Sequence, residues 1–111
     1  MILQVLLFAL LAGAPPAGNL SQARQAYSGC LGMLLKSNLK ERTASDLFEA
    51  RLAQSCKAEE AAFRKASVAA AVATGASRAG AEQDASLEIT DMLDNVKQRY
   101  KDYTETDSEP R

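Results

Sequence analysis

The two cysteines of this 111-residue chain, Cys30 and Cys56, flank the first interruption of a strong helical pattern, and that limits how the chain between them can fold. Upstream of the interruption Ala23, Tyr27, Cys30, Leu31, Leu34 and Leu35 recur at three and four residues, the period of a helix whose one face is buried. Downstream, Leu47, Phe48, Leu52, Cys56 and Phe63 repeat the pattern. A first helix ending near Glu41 and a second starting near Ser45 put each cysteine about eleven residues from the turn, roughly 16 Å at the helical rise. In an antiparallel hairpin the two are level, and a Cys30 to Cys56 disulfide is geometrically reasonable. Closing that loop is worth about 3.5 kcal/mol in chain-entropy terms.

Whether thiols oxidise depends on where the protein resides, and the N-terminus bears on this. Residues 2–12 form an apolar run, followed by Gly13, Ala14, Pro15, Pro16, Ala17 and Gly18, the layout of a secretory signal segment. The run is shorter than the ~20 residues a membrane span needs, and two prolines block its continuation. Export with cleavage after Ala14, Ala17 or Gly18 is expected, with a signal peptide over 1–17. No Lys or Arg precedes the run, so an uncleaved N-terminal anchor and a buried helix stay open as alternatives. Export to an oxidising compartment makes an even pair of cysteines a disulfide. Residues 18–111 hold seventeen alanines against twenty larger apolar residues, a thin core that a staple would help.

The rest of the chain also reads as helix. Ser21 is the expected cap of the first helix, and Thr43 or Ser45 that of the second, with Asp46 and Glu49 in its early turns. From Ala66 to Ala76 the residues are small, which suits close helix packing more than a membrane segment. Gly75 and Gly80 mark a break or kink before a third helix bearing Leu87, Ile89, Met92, Leu93, Val96, Tyr100 and Tyr103. Its early acids (Glu82, Asp84, Glu88, Asp91) and late bases (Lys97, Arg99, Lys101) suit the helix dipole. The expected fold is all-α: a disulfide-stapled helical hairpin plus a third helix, a small three-helix bundle over 18–103, with a disordered acidic tail over 104–111.

Composition excludes several functions. The chain has no His and no Trp, so His-based catalysis is ruled out and the best stacking platform for bases is missing. A net charge of -1 and a pI near 5.4 give no field that draws nucleic acid. Charge is uneven: residues 18–42 carry +3 and residues 66–111 carry -4. First and third helices packed side by side explain this, and a docking surface for a charged partner is the alternative.

Short motifs add little. Tyr27-Ser28-Gly29-Cys30 has lipobox character but lies too far from the apolar run. Ser37 and Lys40 match Ser-x-x-Lys without its companion motifs. Asn19-Leu20-Ser21 is a sequon only in a eukaryotic pathway. Glu60 and Arg64 are spaced for an i,i+4 pair, and Asp91 and Asp94 share a helix face without the surroundings of a catalytic pair. No catalytic, cofactor-binding or metal residues are expected, and no Cys-x-x-Cys suggests a redox enzyme.

The stretch from Tyr27-Ser28-Gly29-Cys30 through Leu47-Phe48 to Ser55-Cys56-Lys57-Ala58-Glu59-Glu60-Ala61-Ala62-Phe63 resembles small exported proteins of alphaproteobacteria. Those proteins pair one cysteine per helix and place an acidic, Ala-rich segment after the second. The resemblance implies a helical fold and a periplasmic location, and no site residues. The expected function is a non-enzymatic exported interaction or structural protein, periplasmic or secreted, with a protein partner of unknown kind. A membrane-anchored helical spacer is the alternative.

Overall fold

The computed structural model describes residues 16–108, which form four helices and no strand: α1 (Pro16–Glu41), α2 (Ser45–Gln54), α3 (Lys57–Ala73) and α4 (Arg78–Thr106). The all-α expectation holds, but the expected second helix is two. It breaks at Ser55, which is extended, and Cys56, which is left-handed at φ 59°. No glycine or proline lies between Ser45 and Ala73 to foretell this. Together α2 and α3 form the interrupted second arm of the hairpin, and α4 returns alongside α1. The main packing surface joins α1 to α3, and the next joins α3 to α4.

Three helix ends close in the same way. At the end of α1 the Thr43 amide reaches back to the carbonyl of Asn38, with Arg42 left-handed at φ 56°. After α3 the Ala76 amide bonds to Ala71 around Gly75 at φ 106°, and after α4 Ser108 bonds to Tyr103 around Asp107. Each satisfies carbonyls that a helix terminus leaves free. Gly75 is the residue such a turn prefers, and the break expected there is present. Gly80 is instead inside the first turn of α4, its amide held by the cap residue Ser77.

Several helix boundaries differ from expectation. Of the expected signal segment, residues 1–15, including the Ala14 cut, lie outside the described residues, as do 109–111. Pro16, Ala17 and Gly18 belong to α1, so Ser21 is inside that helix and does not cap it. Ala44, not Thr43 or Ser45, precedes α2. Helix α4 runs through Thr104 to Thr106, into the stretch expected to be a disordered tail. It also starts at Arg78, so its first turn holds no acid and its last turn no base. The expected dipole match therefore fails at both ends.

The core follows the apolar stripes. Tyr27, Leu31 and Leu35 of α1, Phe48 and Leu52 of α2, Phe63 of α3, and Ile89, Val96 and Tyr100 of α4 are buried together. Phe48 stacks on Tyr100 with ring centroids 3.9 Å apart. Two expected core positions are exposed, Leu47 and Leu87. Leu47 adjoins Phe48, which takes the inward place. Leu87 lies two residues from both Ala85 and Ile89, about 200° around the helix, and so points away from them. Farther along, Val68 meets Ala81 and Ala85, the close packing expected of the small-residue run.

Candidate functional site

Cys30 and Cys56 form the expected disulfide, with Cα atoms 6.0 Å apart. Cys30 projects from the middle of α1, and Cys56 sits at the α2–α3 break as the residue preceding α3. The pairing speaks against the lipobox reading, because the Cys30 sulfur that would carry the lipid is bonded to Cys56.

One side of the disulfide opens onto a groove of about 600 Å³ between α1 and the start of α3. Ala26, Gly29, Met33 and Leu34 line it from α1, and Ser55 and Glu59 from the other side. Met33 is 74% exposed, the most exposed large apolar side chain among the described residues. Gly29 and Gly32 stand on this helix with open space where a Cβ would be. Glycine inside a helix costs roughly 0.5–1 kcal/mol relative to alanine. No contact within the fold accounts for either one.

A polar node holds the far end of the bundle. Asn38 is only 2% exposed. Its amide nitrogen donates to the Leu34 carbonyl at 2.8 Å, and its side-chain oxygen accepts from Arg51 at 2.7 Å. Arg51 also reaches the Thr43 hydroxyl at 3.3 Å. The Tyr100 hydroxyl lies against the carbonyl oxygens of both Asn38 and Thr43. Burial pushes the Tyr100 phenol above its ordinary value, partly offset by Thr43 and Arg51. The buried Asn38 side chain and the Tyr100 hydroxyl are thus occupied within the fold. Sequence reading passed over it, although Asn38 falls on the Leu31 and Leu34 stripe.

The remaining sequence candidates do not converge. Glu60 and Arg64 do not pair with each other: Glu60 accepts from the Tyr27 hydroxyl at 3.1 Å, and Arg64 donates to Ser86 at 2.7 Å. Burial, and next the charge of Glu60, raise the Tyr27 phenol far above its usual range. Ser37 donates to the Leu34 carbonyl rather than meeting Lys40. Asp94 lines a depression beside Glu49 and Lys97, and Asp91 is not part of it. Among the described residues no group of His, Cys, Asp and Glu has the arrangement of a metal site, and no helix is long and apolar enough to cross a membrane.

The uneven charge is met partly within the fold. Arg24 of α1 pairs with Glu88 of α4 at 2.7 Å while its guanidinium covers the Phe63 ring. The pair is about half exposed, so its contribution is about 0–1 kcal/mol.

Comparison with protein-family models, with curated proteins and with solved structures finds no match for this chain.

Proposed function

We propose that this chain is an exported, non-enzymatic interaction protein, and that the groove beside the Cys30–Cys56 disulfide is where a protein partner docks. The observation that carries the reading is the outer face of α1. Met33 is exposed and lines the groove with Gly29, and a Cβ added at Gly29 or Gly32 would meet open space. Two glycines in a helix interior weaken the free protein, and close approach of another chain gives them a purpose. Methionine, flexible and polarizable, suits such a surface. A periplasmic or secreted setting agrees with the apolar N-terminus and the disulfide.

A photo-crosslinking residue at position 33, compared with one at exposed Leu87 on α4, tests this in envelope extract. The expected result is one stoichiometric adduct from position 33 and none from 87, the adduct being lost when Gly29→Leu is added to the position-33 protein. Equal labelling from both positions, or a purified protein that turns over a cell-wall or ester substrate until Asp91→Asn is introduced, would defeat the proposal.

A further inference from the structure

Apart from Ser55 and Cys56, weaker helix formers than their neighbours, nothing in the local sequence breaks the helix here. Gln54, Lys57, Ala58, Glu59 and Glu60 all favour helix, and Phe48, Leu52, Cys56 and Phe63 lie on one stripe, as in a continuous helix over 45–73. Yet Cys56 is held at φ 59°, a conformation unfavourable for any residue with a Cβ. The break also leaves the amides at the start of α3 without helical acceptors, the first bond being that from Glu60 to the Cys56 carbonyl at 2.9 Å. Something must hold the chain against its own propensity, and the covalent tie from Cys56 to Cys30 is at that residue.

We infer that the disulfide holds this break, so that its reduction lets α2 and α3 fuse into one helix: a redox-operated kink. A dithiol reductant attacks one sulfur as its thiolate, the S–S bond breaks, and a second attack closes the reductant's own disulfide. Two electrons pass to the cysteine sulfurs, and two protons complete the Cys30 and Cys56 thiols. Cys30 is partly exposed and both cysteines line the groove, so the bond can be reached. Fusion returns residue 56 to right-handed helix and gives the amides of Lys57, Ala58 and Glu59 acceptors one turn back. It also turns α2, which carries Phe48 and Arg51, relative to α1 and α4. Ser55 and Glu59 form one wall of the groove, so redox state also sets its shape; that consequence alone rests on the docking reading above.

Amide exchange of the full chain, followed by NMR before and after a dithiol reductant, tests the kink. Reduction is expected to slow exchange at Lys57, Ala58 and Glu59 by about tenfold or more, and to give Ser55 and Cys56 helical Cα shifts. Cys30→Ala with Cys56→Ala should show the same fused pattern. Cys30→Ala with Cys56→Gly should protect these amides less than the double-alanine variant does, because glycine both tolerates positive φ and disfavours a helix interior. Fast exchange at 57–59 in the reduced protein or the double-alanine variant would overturn the inference, as would loss of protection throughout α1, α3 and α4. Fused amides with no adduct from position 33 in either redox state would defeat the docking reading and leave the kink standing.

Discussion

The Tyr100 hydroxyl lies 3.1 Å from the main-chain carbonyl oxygen of Asn38, linking residues 62 apart in sequence. It also contacts the Thr43 carbonyl, so its single proton is shared across the turn that ends α1. The ring of Tyr100 meanwhile stacks on Phe48, so one side chain of α4 fixes both the end of α1 and the seat of α2. Tyr100→Phe keeps the stack and is expected to cost about 1 kcal/mol. Asn38→Ala removes the bonds to the Leu34 carbonyl and to Arg51, which keep Ser37 and Thr43 as partners, and should cost about 1 kcal/mol. Urea denaturation of each variant measures both effects.

Reduction of the disulfide should lower the unfolding free energy by at most about 3.5 kcal/mol without abolishing the fold: opening a loop with a separation of 26 residues frees the unfolded chain, and release of the left-handed Cys56 offsets part of that loss. Denaturation with and without reductant gives the difference. Native protein with two reactive thiols would show that the pair is not bonded.

Phe63 is fully buried beside Tyr27, with Arg24 above its ring. Phe63→Ala is expected to cost about 3–5 kcal/mol. Leu87→Lys, on the exposed side of α4, should change stability by less than about 0.5 kcal/mol. Thermal melts of the two variants should separate widely, and similar losses would mean that α4 is rotated from the arrangement described.

Gly29→Ala should stabilise the free protein by roughly 0.5–1 kcal/mol, because the added Cβ meets open space and the helix gains propensity. The same variant should weaken docking at the Met33 groove. A stability gain with undiminished crosslinking from position 33 would show that no partner needs the glycine.

Alkali should destabilise the fold through its buried tyrosines. Burial, and then Glu60, raise the Tyr27 phenol above its ordinary value of about 10, so the unfolded chain releases this proton first. The associated stability is complete below about pH 10 and is lost as pH rises beyond it. Tyr100 is shifted in the same direction. Urea midpoints between pH 8 and about pH 11 should stay level and then fall, and Tyr27→Phe should make the fall shallower.

The helical period of the sequence was enough to determine an all-α chain, the stripes carrying Tyr27, Leu31, Phe48, Phe63, Ile89 and Tyr100, the break at Gly75, and a level pairing of Cys30 with Cys56. These depend on local propensity and on rise per residue, which a sequence displays directly. Tertiary structure alone decided the rest. Arg42, Cys56 and Asp107 are left-handed against their own preference, because bonds to distant groups or capping of free carbonyls outweigh a local cost of about 1–2 kcal/mol. Glu60 and Arg64 could pair along one helix, yet Tyr27 and Ser86 on neighbouring helices take them. Asn38 and Tyr100 meet only after two chain reversals and the break between them. The groove at Met33 exists because α3 starts at the break, a position that no stretch of sequence between Ser45 and Ala73 specifies by itself.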